Sequence, residues 1–228
     1  ICEPLGLADR VAIDTELTMN IADLRKDYTI AGLRRGDLHP DATEQFKRWF
    51  KAAVDAEAVE PNAMTLATVD ELGRPTSRIV LLKGVDGRGF SFFTNYESRK
   101  GRELEANHAA ALTWFWPQLE RQVGARGVVE KLSREESLTY FKARPIGSQR
   151  SVWVSKQSEV VPSREHLERR LEEVVAEFGD DVPLPAYWGG YVLRPETLEF
   201  WQGRPNRLHD RFRYTRQRTG WGIERLSP

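Results

Sequence analysis

The sequence predicts a mainly β chain with helices packed outside it, arranged as a small antiparallel barrel. Three observations predict this. Short runs of β-branched and aromatic residues recur along the chain, most of them in period two. Gly, Pro, Asp and Asn separate the runs at hairpin spacing. A few amphipathic stretches, opened by Ser or Asp, interrupt the β pattern. No internal repeat and no low-complexity segment is present.

The elements follow in order. Residues 1–19 read as an N-terminal extension, and residues 20–228 as a single domain. Residues 20–36 read as a short helix running into a basic loop. Residues 41–58 carry Phe46, Trp49, Phe50, Ala53 and Val54 at helical spacing after Asp41, an N-cap residue type. Residues 64–69 and 77–83 form a hairpin around the turn at 70–75, and residues 90–94 follow the Gly87-Arg88-Gly89 turn. Ser98 caps a helix to about residue 107. Residues 110–116 and 121–132 are strands. Ser133 with Glu136 makes a capping box for a helix ending before Arg144-Pro145. Residues 163–178 form a charged amphipathic helix, residues 182–186 a linker. Four strands close the chain, at 190–193, 197–201, 212–216 and 221–225.

Composition narrows the function classes. The 228 residues are 40% hydrophobic and 30% charged, enough for a substantial core. The 34 basic and 34 acidic side chains balance, so any basic site is local and general nucleic-acid or membrane binding is not expected. Cys2 is the single cysteine, which suits a reducing cytoplasm. No apolar run reaches the length of a membrane span. The four histidines form no His-x-x-x-His pair and no carboxylates stand at ligand spacing, so no metal centre is expected. Walker and Gly-x-Gly-x-x-Gly phosphate loops and a Gly-x-Ser-x-Gly elbow are also absent.

The chain instead carries cations on β elements and helix starts. In the run at 200–211, Arg207, His209 and Arg211 fall at every second position, which in a strand puts them on one face bordered by Trp201. That face calls for a flat anion. Arg78 and Lys83 bracket an apolar strand, although a spacing of five places them on opposite faces. Arg99 and Lys100 stand at a helix start, where backbone N–H groups favour an anion. Tyr140, Arg144 and Ser148 surround the Ala-Arg-Pro turn. There are cations enough for two phosphates: Arg78, Arg99 and Lys100 for one, and Lys83, Tyr140, Arg144 and Ser148 for the other. A flavin mononucleotide enzyme with a phosphorylated substrate needs two such sites.

Ordered matches give this a family. Leu-Arg-Lys-Asp-Tyr at 24–28, Arg-Ile-Val-Leu-Leu-Lys at 78–83, Phe-Phe-Thr-Asn at 92–95 and Glu-Ser-Arg-Lys at 97–100 come first. Glu-Arg-Gln-Val at 120–123, Trp-Val-Ser-Lys-Gln-Ser at 153–158 and Asn-Arg-Leu-His-Asp-Arg at 206–211 follow. In this set and its order the chain resembles the pyridoxamine 5′-phosphate oxidase family. The resemblance implies an FMN-binding split β-barrel of Greek-key type and a homodimer with FMN at the subunit interface. It implies FMN contacts from Arg78, Ile79, Val80, Leu81, Leu82, Lys83, Phe93, Thr94, Arg99, Lys100, Gln122, Gln157, Ser158, Trp201 and Arg211. Substrate phosphate would be held by Lys83, Tyr140, Arg144 and Ser148. Arg207 and His209 would flank the pyridine ring as the catalytic pair. Arg25 and Tyr28 would belong to a segment that closes over the site. The implied reaction is hydride transfer from C4′ of pyridoxamine or pyridoxine 5′-phosphate to flavin N5. Dioxygen then reoxidises the flavin and gives hydrogen peroxide.

One departure stands out. Where the family commonly continues Ile-Gly-Ala after Ser148-Gln149, this chain has Arg150-Ser151-Val152. The arginine is expected to add charge near the substrate-phosphate loop, and loss of the glycine to stiffen it. The alternative readings are a split-barrel protein with another substrate, or a carrier of flavin or pyridoxal phosphate.

Overall fold

The computed structural model describes Leu24 and residues 27–228. Nine strands form one antiparallel sheet: β1 (Ala63–Val69), β2 (Pro75–Leu81), β3 (Gly84–Val85), β4 (Phe90–Asn95), β5 (Ala109–Trp116), β6 (Arg121–Lys131), β7 (Trp188–Gln202), β8 (Asp210–Arg216) and β9 (Trp221–Leu226). The strand order is β2-β1-β5-β6-β7-β4-β3, with β8 and β9 extending from β7. The sheet curls until its ends meet. Lys83, just past β2, donates its N–H to the carbonyl of Ser91 in β4 at 2.8 Å.

The long strand β7 organises this closure. One edge pairs with β6; the other pairs with β4 at its start and with β8 at its end. The sequence reads two strands here because Pro195 interrupts the pattern. In the fold the chain runs on through Pro195, and the register against β6 shifts between Arg126 and Gly127. A Cβ at Gly127 would fall 1.9 Å from the carbonyl oxygen of Arg194, so the bulge requires glycine there.

Helix α1 (Ala42–Asp55) packs one face onto the sheet's core. Asp41 caps it by accepting the N–H of Glu44 at 3.0 Å. Its buried stripe, Phe46, Trp49 and Ala53, packs into the sheet. The Phe46 ring lies 4.7 Å from Trp114 and 4.8 Å from Phe90, and Trp49 meets Phe200 edge-on at 5.2 Å. A second apolar cluster, centred on Phe141, Val182 and Trp188, joins the sheet to the outer helices. These are α3 (Arg134–Ala143), α4 (Ile146–Val154) and α5 (Arg164–Phe178); α2 (Arg99–Ala106) follows β4.

Two further sequence expectations change. Of the helix read over 20–36, Leu24 and residues 27–34 carry no helix, and Arg35–Asp37 form one 3-10 turn; residues 20–23, 25 and 26 lie outside the described residues. Second, α4 is a helix where the sequence shows only a turn after Pro145. Gly147, Ser148 and Ser151 are weak helix formers without a clear apolar stripe, and α4 holds through packing against α5. Among the described residues, no helix is long and apolar enough to cross a membrane.

Candidate functional site

A cleft of about 780 Å³ opens between the β2 end, β4, α3 and α4. Arg78, Ile79, Val80, Leu81 and Lys83 line one side, Phe93, Thr94 and Lys100 another. Tyr140, Arg144, Ser148 and Gln157 complete it. Arg78 and Lys83 face the same space because β2 ends at Leu81. Lys83 lies beyond the strand, where alternation no longer governs its direction. Leu82 turns into the core.

At one end of the cleft a buried carboxylate organises the cations. Glu103, on the first turns of α2, accepts from Thr68 Oγ1 at 2.5 Å, Thr76 Oγ1 at 2.7 Å, Arg99 Nε at 2.9 Å and Arg78 Nη2 at 3.1 Å. Burial alone would push this carboxyl up. The hydrogen bonds from Thr68, Thr76, Arg99 and Arg78 outweigh burial and hold it at about 2. Lys100 is buried beside the pair and is pulled down to about 8, first by burial and then by Arg78, against the opposing pull of Glu103. Its Nζ donates to Gln157 Oε1 at 3.1 Å. The N–H of Arg99 donates to Ser158 Oγ at 3.2 Å. Thus Gln157 and Ser158 meet the α2 start within the same chain.

At the other end the wall is aromatic. Phe93 and Tyr140 stack with ring centres 3.9 Å apart, and Trp188 continues the stack behind Phe93 at 5.6 Å. The Ser133–Glu136 capping box sets α3 so that Tyr140 and the following Arg144 reach the cleft. Arg144 lies 4.8 Å over the Trp188 ring. Its Nη1 is buried with no hydrogen-bond partner among the described residues. A buried donor without a partner is costly, and an anion in the cleft would satisfy it. Ser148 stands in the first turn of α4 beside it.

Arg207 and His209 lie elsewhere. They line a second depression of about 570 Å³ with Leu24, Asp27, Tyr28, Arg204 and Asn206, and it shares no lining residue with the cleft. A shared face for Arg207, His209 and Arg211 would need an extended strand through all three, and β8 begins only at Asp210. Pro205–Arg207 is a 3-10 turn in which Asn206 and Arg207 have left-handed backbone, with φ of 55° and 60°. Pro205 fits the first helical position, and Asn tolerates the left-handed region; Arg207 there is strained. Arg211 alone keeps a strand position, and β-pairing sets Gln122, Trp201 and Arg211 in one row across β6, β7 and β8. The His209 ring lies 4.6 Å from Trp201. Its Nδ1 accepts the N–H of Arg204 at 3.1 Å, so neutral His209 carries its proton on Nε2. Burial, then Arg207 and Arg211, lower its affinity for a second proton.

Arg25 lies outside the described residues. Glu103 and Asp210 are among the residues that the sequence reading missed. Glu103 was signalled by its four-residue spacing from Arg99 on α2. Asp210 stands in the Arg-Leu-His-Asp-Arg run, but its partners come from distant segments.

Comparison with known proteins adds a relationship to this geometry. Residues 50–177 match the family model described as pyridoxamine 5′-phosphate oxidase. Residues 188–228 match that of the pyridoxine 5′-phosphate oxidase C-terminal dimerisation region. The chain is 58% identical over 209 residues to a pyridoxine/pyridoxamine 5′-phosphate oxidase of Cupriavidus taiwanensis, covering 91% of this chain and 99% of that one. It is 57% identical over 211 residues to the protein of the same name from Burkholderia thailandensis, with the same coverage. Among solved structures, PhzG from Burkholderia lata, in complex with tetrahydrophenazine-1-carboxylic acid, superposes with a TM-score of 0.83 at 31% identity, over 89% of this chain and 100% of that one. A pyridoxamine 5′-phosphate oxidase-related, FMN-binding protein of Nostoc punctiforme shares the fold, with a TM-score of 0.66 at 17% identity over 80% of this chain and 97% of that one. The curled antiparallel sheet is therefore the FMN-binding split barrel, and the chain belongs to the pyridoxamine 5′-phosphate oxidase family.

Proposed function

We propose that this protein is an FMN-dependent oxidase that converts pyridoxine or pyridoxamine 5′-phosphate to pyridoxal 5′-phosphate. The observation that carries the reading is the partnerless, buried Nη1 of Arg144, in a cleft that also presents Lys83, Tyr140 and Ser148. These groups suit the substrate phosphate. A second anion position lies at the α2 start, where Lys100, Arg99 and the Gln157–Ser158 pair suit the phosphate of FMN. The edge from Arg78 to Lys83, with Phe93 and Thr94, would hold the flavin between the two. Bound FMN would supply the redox chemistry, accepting hydride from C4′ and passing electrons to dioxygen.

The arrangement calls for two copies of the chain. Arg207 and His209 would act on the substrate ring, yet in one chain they face a separate depression. A homodimer built through the C-terminal region would bring Gln122, Trp201, Arg207, His209 and Arg211 of one copy to the cleft of the other, and the match over 188–228 supports that assembly. Arg207, fixed in charge, would lie against the pyridine and favour its anionic form. Neutral His209 would present Nε2–H to an oxygen or nitrogen of the substrate.

The test is the visible spectrum of the FMN-loaded protein under anaerobic conditions, before and after pyridoxine 5′-phosphate. Bleaching of the flavin band, with its return in air as aldehyde forms, is expected. A band that keeps its intensity would overturn the reading. Bleaching instead by a tricyclic aromatic carboxylate would move the substrate toward the ligand in the PhzG complex.

A further inference from the structure

Two carboxylates outside the proposed chemistry converge on one stretch of irregular backbone. The N–H of Ile30 donates to Glu120 Oε2 at 3.1 Å, and the N–H of Leu33 to Asp210 Oδ2 at 3.0 Å. Glu120 sits in the β5–β6 turn, 1% exposed, with left-handed backbone at φ 53°. Its carbonyl accepts the N–H of Gly203, so the same residue also ties down the start of the turn that carries Arg207 and His209. Asp210 immediately follows His209. Its Oδ1 accepts from Arg225 Nη1 at 2.5 Å, and Arg204 Nε stands 3.6 Å from Oδ2. Both arginines reach the same backbone: Arg204 donates to the carbonyl of Ala31, and Arg225 to that of Leu33, each at 3.3 Å.

The held backbone carries Tyr28. Its ring stands edge-on to Trp201 at 5.5 Å and to His209 at 5.8 Å. A Cβ at position 203 would come within 2.6 Å of that ring, so Gly203 makes room for it. Residues 27–33 have no helix or strand to hold them, and ordering such backbone costs conformational entropy. The hydrogen bonds at Ile30 and Leu33, with the arginine contacts to Ala31 and Leu33 and the burial of the Leu33 side chain, offset that cost next to the site.

We propose that Glu120 and Asp210 are positioning residues that hold residues 27–33 across the Arg207–His209 depression, and that they act on the reaction through Tyr28. The proposal rests on the functional reading above for its kinetic consequence but not for its structural one. Hydrogen exchange of the FMN-loaded protein tests the structural part. Replacing Asp210 with Ala should speed exchange at Leu33 at least tenfold; unchanged protection would overturn the proposal. Kinetics tests the second part. Asp210→Ala removes the Leu33 bond together with the Arg225 and Arg204 contacts and should raise KM for pyridoxine 5′-phosphate by at least about tenfold, with kcat changed far less. In a Tyr28→Ala background the same substitution should change KM less than twofold. A full tenfold rise in that background would mean Asp210 does not work through Tyr28. Asp210→Asn keeps an oxygen for Leu33 and should restore most of the protection; if the alanine variant does not fold, Glu120→Gln and Glu120→Ala read at Ile30 take its place, with faster exchange expected only for the alanine and unchanged protection overturning the proposal. An unsubstituted enzyme with no turnover would sink the functional reading and leave the exchange result to judge the clamp.

Discussion

The cleft and the Arg207–His209 depression are built in opposite ways. The cleft stands on regular elements, and its cations are held before any ligand arrives. The buried Glu103 holds Arg78 and the more exposed Arg99, and stacked rings fix Tyr140. The depression stands on a turn with two left-handed residues, covered by irregular chain and held by hydrogen bonds from far along the sequence. A preorganised anion site gains affinity because little is left to order on binding. A site made of a strained turn and a clamped segment can adapt to the ring it must meet, and depends on contacts that local sequence does not encode.

The sharpest way to break this contrast is to remove the centre of the rigid half. Glu103→Leu leaves Arg78 near a buried site without its carboxylate. Breaking such a pair typically costs about 3–5 kcal/mol. The variant should lose stability on that scale in denaturant unfolding, and FMN binding should weaken with it. Unchanged stability would mean that the network is no more than surface pairing. In the other half, Arg207→Ala should lower kcat/KM for pyridoxine 5′-phosphate by roughly 10–100-fold, as expected for a lost charge-assisted contact. Stability and FMN content should stay as they are, because Arg207 has no part in the core. A loss of flavin instead would place Arg207 with the cofactor rather than the substrate.

The same division decides what could be read from the sequence. The strands, the capped helices α1, α2, α3 and α5, and the cation set of the cleft follow from local signals: Asp41, Ser98, Ser133 and Ser163 each cap a helix as read. That Arg78 and Lys83 meet was not legible, because where β2 ends depends on its pairing with β1. The face assigned to Arg207 and His209 was misread for a related reason. Alternation holds only inside a strand, and Pro205-Asn206 makes a turn instead. Asp210 and Glu120 were invisible as clamps, since their partners lie 177 and 90 residues away.

Lys100 gives a pH test of the rigid half. With Lys100 pulled down to about 8, the flavin-free protein carries its ammonium only below that pH. FMN binding should therefore be strongest below pH 8. Above it, binding must take up a proton, and affinity should fall by up to about tenfold per pH unit. The stability of the flavin-free protein should respond in the opposite sense. The unfolded lysine keeps its ordinary value of 10.5, so the penalty for a buried charge is full below pH 8 and fades between 8 and 10.5. Fluorescence titration of FMN against pH checks the first trend, and denaturant unfolding the second. A flat binding profile through pH 9 would show that Lys100 does not hold the phosphate.

The smallest effect is expected at Arg150, where the sequence departs from the family. Its charge was expected to reach the substrate-phosphate loop. The structure turns it away: Nε and Nη2 donate to the carbonyl of Gly179 at 3.1 and 2.8 Å, and Nη2 also meets Asp180 at 2.8 Å. Arg150 thus caps the C-terminal end of α5, where a cation is favoured, and ties α4 to it. Asp180 is 95% exposed, so its pairing with Arg150 is largely screened. Arg150→Ala should cost about 0.5–1 kcal/mol in stability. KM for pyridoxine 5′-phosphate should stay within about twofold, since surface changes away from a site leave it nearly intact. Ser151 is the better place to look for a change at the phosphate. It lies in α4 and lines the cleft, and its hydroxyl donates to the carbonyl of Ser148 at 3.0 Å, which ties it to a residue proposed to hold the phosphate. A tenfold rise in KM for Arg150→Ala, with stability unchanged, would return that charge to the phosphate and make α4 part of the adaptable half.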